Sequence, residues 1–461
     1  MLSPTQEQFV TVEPPQEDAA FRVQASAQYP IVLRWLNKGS LAILDQGLIS
    51  GSNFVVGILL ARWLTPSLYG AYAIAFGVFV LLTLIYTALI LEPMSVFGGS
   101  AYRANVRAYL RSLLWMHLAI GCTAFAVVAA AAVLMRAWGA SSEIAGALWG
   151  VALSAPCILF FWVVRRALYL RMAPGKATSG ALLYCSLILV GLWLLNRWLL
   201  LSPFTALLLM GFAALCAGGW LIALLYADSA ARNAGPRPLF TEICRRHWTY
   251  GRWALLTSLV AWIPAYIFYP LVTRFSGLSA SGDLRALNNF VSPLDQTFAA
   301  LSLLFLPYAA RVRAERGAGD FRALARNLFL LSISASAIYW LVVVNFRVSL
   351  FGLLYAGRYS QVASLLPAVA VGSILWTAAY GPAIALRAME SPKSVFVAYL
   401  VTTAICITLG TLATRAYGLK GAIWSSNLAD LISLFVIFGI LYSKLAHNAP
   451  SRLPMPAKVV G

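Results

Sequence analysis

Long apolar runs, separated by short basic or Pro/Gly-rich stretches, occupy almost the whole chain. They predict helices over 41–62, 70–92, 112–135, 147–167, 177–197, 203–226, 253–274, 286–309, 324–346, 361–386, 394–414 and 418–442. Each run is close to the roughly 20 residues a helix needs to cross the hydrocarbon core of a bilayer. Barrel strands would instead alternate polar and apolar positions over about ten residues. The pattern therefore predicts an all-α polytopic membrane protein of about twelve transmembrane helices.

Composition agrees. Of 461 residues, 61% are hydrophobic and 11% charged, whereas a soluble domain averages about 45–50% apolar and about 25% charged. An aromatic content of 13% excludes a disordered chain. The formal net charge of +19 is spread over many loops, which points to a membrane surface and membrane lipids rather than nucleic acid.

The bases also orient the spans. With the amino terminus inside, the outside segments hold only Arg62, Arg136, Arg197, Arg274, Arg285, Arg347, Arg358, Arg415 and Lys420 of the 34 Lys and Arg. The rest fall in inside segments, as the positive-inside rule requires, so both termini are expected in the cytoplasm. Residues 1–38 read as a polar, disordered tail holding Glu7, Glu13, Glu17 and Asp18, without a secretory signal pattern. Residues 39–230 form a first six-helix lobe, 231–252 a basic cytoplasmic linker, 253–443 a second six-helix lobe, and 444–461 a cytoplasmic tail. The six cysteines include no C-x-x-C pair and read as small buried hydrophobes.

Faint landmarks repeat in the two halves. Gly70 follows Arg62 by eight residues, and Gly282 follows Arg274 by eight. Leu170-Arg171-Met172 before Pro174 is echoed by Leu386-Arg387-Ala388 before Pro392. A repeat of six spans keeps its orientation, so two pseudo-symmetric six-helix bundles around a central cleft are expected, related by an axis along the membrane normal.

Leu44-Asp45-Gln46-Gly47 through Asn53-Phe54, Leu60-Ala61-Arg62-Trp63-Leu64-Thr65-Pro66 and Tyr69-Gly70-Ala71-Tyr72 resemble Wzx-like polysaccharide and O-antigen flippases. These belong to the multidrug/oligosaccharidyl-lipid/polysaccharide (MOP) exporter superfamily. The resemblance implies a transporter of the bacterial inner membrane that moves a polyprenyl-diphosphate-linked oligosaccharide to the outer leaflet. It also implies a role in exopolysaccharide or O-antigen synthesis, with a polysaccharide polymerase and export machinery as partners. The related lipid II flippases carry an additional first-helix arginine where this chain has Val55, Val56 and Gly57, so only Arg62 carries over from their cationic site.

Charged groups inside a bilayer cost at least a few kcal/mol and mark candidate sites. Asp45, Glu92, Asp295 and Asp430 are the candidates for proton or sodium coupling. Asp45 and Glu92 fall near the inner surface, where water can solvate them, whereas Asp295 and Asp430 lie at span midpoints. A diphosphate needs forked donors, and Arg62, Arg274 and Arg285 stand at outer ends of spans 1, 7 and 8, with Asn288 and Asn53 nearby in sequence. Arg62 and Arg274 equally fit snorkelling side chains. Arg103, Arg107 and Arg111 recur every four residues and read as an anchor for anionic lipid. His117 reads as a helix-packing residue, and Trp63, Trp138, Trp198 and Tyr417 as interface belts. Pro156, Pro264, Pro270 and Pro382 lie inside spans as candidate hinges.

The chain has no G-x-x-x-x-G-K-[ST] loop, D-x-D or H-E-x-x-H motif, so a transporter without cofactor or metal is expected rather than a glycan polymerase or ligase. A cation-coupled multidrug exporter of the same superfamily is the main alternative.

Overall fold

Within a bilayer the backbone must satisfy its own hydrogen bonds. Among the described residues it does so through helices, with no strand. The computed structural model describes residues 17–102, 105–227, 238–389 and 392–447. The first half contains α1 (Glu17–Trp63), α2 (Pro66–Tyr86), α3 (Glu92–Gly99), α4 (Val106–Ala137), α5 (Ser142–Leu170), α6 (Pro174–Arg197) and α7 (Pro203–Ala227). The second contains α8 (Phe240–Tyr266), α9 (Phe268–Ser276), α10 (Leu278–Asn288), α11 (Ser292–Asn345), α12 (Arg347–Tyr355), α13 (Leu366–Ala378), α14 (Tyr380–Ala388), α15 (Pro392–Ile405) and α16 (Thr411–His447).

Among the described residues, ten stretches are long and apolar enough to cross a membrane. Two of them, Ser292–Asn345 and Ser394–Ala446, run 54 and 53 residues, roughly 80 Å of helix against a core of about 30 Å. Each turns back at a glycine in the left-handed region, Gly317 (φ 83°) and Gly418 (φ 56°). Each stretch is thus a pair of crossings, which makes twelve among the described residues.

Proline sets where spans break. It has no N–H to donate to the carbonyl four residues back. Pro270 deprives Tyr266, where α8 ends, and Pro382 deprives Ala378, where α13 ends. Pro293 deprives Asn289, in the gap between α10 and α11. Pro93 deprives Leu89, inside a π-turn (Thr87–Leu91) that joins α2 to α3. Pro156 and Pro264, by contrast, sit within helices that stay continuous. Proline also opens α2, α6, α7 and α15, where its missing donor costs nothing.

Several boundaries differ from the sequence expectation. The helix of the first span begins at Glu17, inside the segment read as a disordered tail; its acidic start and Ala-rich continuation favour helix. The second part of the linker, from Phe240, is likewise helix continuous with span 7. Arg232, Arg237 and Arg103 lie outside the described residues, as do residues 448–461. Span 8 begins at Leu278, ahead of the expected 286, because the break at Pro293 divides it.

Helices α1–α7 pack into one bundle, centred on α5 between α4 and α7, and α11, α13, α14, α15 and α16 pack into the other. One apolar core runs through both bundles, and a second, around Phe321, Leu386 and Ile437, fills the far end of the C-terminal bundle. The bundles join mainly along α2, which lies against α10 and α8.

Candidate functional site

The two repeat landmarks bring the main chains of the bundles into close contact. A Cβ on Gly70 would stand 2.0 Å from the Leu278 carbonyl oxygen, and one on Gly282 would stand 2.1 Å from that of Pro66. Leu278 precedes Gly282 by four residues just as Pro66 precedes Gly70, so the contact is reciprocal. Only glycine lets α2 and α10 cross at this distance. Arg62 and Arg358 reinforce the same end: Arg62 Nη1 donates to Leu353 O at 2.9 Å, and Arg358 Nη1 donates to Leu64 O at 3.2 Å. Both bonds span the bundles. Helix α12, which supplies Leu353, lies in what the sequence presents as a plain loop.

One turn beyond the glycines, α10 carries Arg285 between the bundles. This corrects its expected place at an outer helix end, since span 8 already starts at Leu278. Its guanidinium lies over the Phe76 ring, 4.7 Å from the centroid, and within electrostatic reach of the Tyr69, Tyr72, Tyr266 and Tyr269 hydroxyls. Its Nε is buried without a hydrogen-bond partner. Among the described residues the ion pairs are Arg165–Asp45 and Arg246–Glu242, so no carboxylate neutralises Arg285. Rings can stabilise a desolvated cation by about 2 kcal/mol but do not compensate its charge.

Asparagines order this cage. Asn289 Nδ2 donates to the Tyr69 hydroxyl at 2.9 Å and to that of Tyr355 at 3.3 Å. Tyr69 in turn donates to Gly57 O at 3.0 Å, and Tyr355 to Ala286 O at 2.9 Å. Asn288 donates to the Tyr269 hydroxyl at 3.0 Å. Gln46, Ser50 and Asn53 share one face of α1 at helical spacing and end near Gly57. Ser50 donates to Gln296 Oε1 of α11 at 3.1 Å, across the bundles.

The predicted acids separate. Asp45 is buried and held by Arg165, whose Nε donates to Oδ2 at 2.8 Å and Oδ1 at 3.1 Å, and by the Tyr169 hydroxyl. That ties α1 to α5 within one bundle. Glu92 is exposed at the start of α3, not at the end of its span, because the span continues to Gly99. Asp295 and Asp430 lie within electrostatic reach of each other in the second bundle, Asp295 also near Tyr266 and Tyr380. Asp295 Oδ1 is buried and unpartnered. Arg274 is exposed at the end of α9.

At the opposite end α8 is pinned to the first bundle. The carbonyl of Leu89, which Pro93 cannot serve, accepts from His247 Nδ1 at 2.9 Å, so His247 Nε2 accepts from Tyr109 at 2.8 Å. His117 contacts the Tyr86 hydroxyl at 3.0 Å, a packing role. Sequence reasoning missed Tyr69, Tyr266, Asn289 and Tyr355; Tyr69 lay in plain view within the Pro66–Tyr72 motif.

No protein-family model matches the chain, and no curated protein does. Solved structures do. The chain is similar to a multidrug resistance MATE family transporter of the MOP superfamily in its inward-facing conformation, with 14% identity, TM-score 0.74, and coverage of 88% of this chain and 98% of that one. For an outward-facing structure of such a transporter the identity is 13%, the TM-score 0.63 and the coverage 89% and 95%. For the lipid II flippase MurJ in an inward closed conformation the values are 12%, 0.61, and 90% of each chain. The chain has the MOP-transporter fold.

Proposed function

We propose that the chain is an alternating-access transporter of the bacterial inner membrane that carries a polyprenyl-diphosphate-linked oligosaccharide from the inner to the outer leaflet. The observation that carries this reading is Arg285, a guanidinium enclosed between the bundles without a carboxylate. A charge in such a place requires a counter-ion, and a diphosphate passing between the bundles supplies one, with forked donors matched to its oxygens. The tyrosine hydroxyls and Asn289 add neutral partners for sugar and phosphate oxygens. The polar face of α1 (Gln46, Ser50, Asn53) leads towards the cage from the other end. The glycine crossing closes the end at Arg62, and the higher likeness to an inward-facing structure fits a conformer open to the cytoplasm. In this reading both termini are cytoplasmic, and a polymerase and export machinery take up the product.

One observation favours a second reading. Asp295 and Asp430 are half-buried acids that a cation-coupled multidrug exporter could use, but an organic cation would then have to pass an uncompensated arginine. We assign the two acids to proton or sodium coupling of the lipid carrier instead.

The test is translocation of a fluorescent polyprenyl-diphosphate sugar by the purified chain in vesicles. Arg285→Ala should lower the rate at least about 100-fold, the order expected for a lost charge-assisted anchor of about 3 kcal/mol, and Arg285→Lys should retain part of it. Equal rates for Arg285→Ala and the parent, or export of organic cations alone, would overturn the assignment.

A further inference from the structure

The first bundle carries a second feature that none of the residues around Arg285 lines. Helices α4 and α7 pack on either side of α5, which leaves α5 as the floor of a trough of about 530 Å³, the scale of a ligand pocket, roughly 300–1,000 Å³. Its walls and floor include Trp115, His117, Pro156, Cys157, Phe160 and Leu215, and its end is marked by Arg111. Leu114 also lines a smaller hollow that contains Arg107, Arg171 and Tyr226, so the two hollows adjoin at that residue. Arg107 and Arg111 stand in the first turns of α4, Arg171 caps α5, and Tyr226 closes α7. All four therefore lie at one end of the membrane. Arg171 Nη1 donates to Leu225 O at 2.8 Å, fixing α5 to α7 there. No Asp or Glu lines either part.

The structure assigns this trough to a single anionic glycerophospholipid of the adjacent leaflet. Its phosphate sits between Arg107 and Arg111, and one acyl chain runs along α5 towards Cys157 and Pro156. Charge complementarity selects the headgroup: the trough is apolar along its length and basic only at the end where a lipid carries its phosphate. The four-residue spacing of Arg107 and Arg111 sets both guanidinium groups on one helix face over that end. The inference does not depend on what the protein transports.

The experiment is native mass spectrometry of the full chain taken from nanodiscs of phosphatidylcholine with a minority of phosphatidylglycerol of identical chains. One phosphatidylglycerol should be retained, enriched at least about tenfold over its share. A basic residue near a membrane surface contributes about a fivefold factor in binding, so Arg107→Gln with Arg111→Gln should lower retention roughly 25-fold. Arg311→Gln with Arg316→Gln, exposed arginines of the other bundle, should leave it unchanged. Cys157→Phe, which fills the trough without touching a charge, should lower retention by a similar factor while the melting temperature stays near that of the parent. Equal retention of the two lipids, equal losses from either arginine pair, or undiminished retention in Cys157→Phe each overturn the proposal. Displacement of phosphatidylglycerol by equimolar undecaprenyl phosphate overturns it too, by giving the trough to a polyprenyl chain.

Discussion

A carboxylate sealed from water needs a cation and a donor, and Asp45 has both in Arg165 and Tyr169. The pair fastens α1 to α5, so its role is structural within one bundle. Breaking a buried pair by removing one partner costs about 3–5 kcal/mol, and the partial exposure of Arg165, 15%, places Asp45→Asn near the lower end. Thermal unfolding in detergent should show that loss, and Asp45→Asn with Arg165→Gln should recover part of it; the ion dependence of transport should not change. A sequence shows that an acid lies in a span but not who faces it. Arg165 is 120 positions away, and nothing in the local pattern around Asp45 announces it. The cation of the cage was legible as a residue type, because a diphosphate needs forked donors, yet its place was not. Arg285 seemed terminal only while the proline break after it went unread.

Helices carry the next level of meaning. Twelve crossings were legible from apolar runs because a bilayer imposes length and hydropathy on every one of them. The short α12 was not, since it obeys no such constraint and gains its helical form from packing across the bundles. Among elements the crossing of α2 and α10 is the most exacting. Alanine at Gly70 would put a carbon 2.0 Å from a main-chain oxygen, so the helices must part, at a cost of the order of 1–3 kcal/mol. Ser281, fully buried beside Gly282, reports on this. In a background freed of native cysteines, Ser281→Cys should be nearly silent to a water-soluble maleimide. Adding Gly70→Ala should raise the labelling rate by about tenfold or more. An unchanged rate would mean that the crossing yields without separating.

The whole molecule sets two bundles around a cationic centre, with Asp295 and Asp430 in the second bundle. Moving two negative charges outward across an inside-negative membrane gains about 4.6 kcal/mol per 100 mV, so the potential alone can bias export. If Asp295 and Asp430 also carry an ion, replacing both with Asn should abolish the acceleration produced by a proton or sodium gradient in vesicles. The acceleration produced by an imposed potential should remain. Persistence of the gradient effect in the double variant places coupling elsewhere. The internal repeat was legible from the equal spacing of Arg62 to Gly70 and Arg274 to Gly282; that the repeated glycines touch was not, because spacing describes each copy and not the axis between them. This meeting of main chain with main chain has a consequence for the working cycle. The latch is made of peptide carbonyls, glycine and arginine, and the Asp283 carboxylate stands next to Gly282 within it, accepting from Gln361 Nε2 at 3.5 Å. Acidity can therefore act on the fastening directly, through the carboxyl beside its glycine, as well as through the acids deeper in.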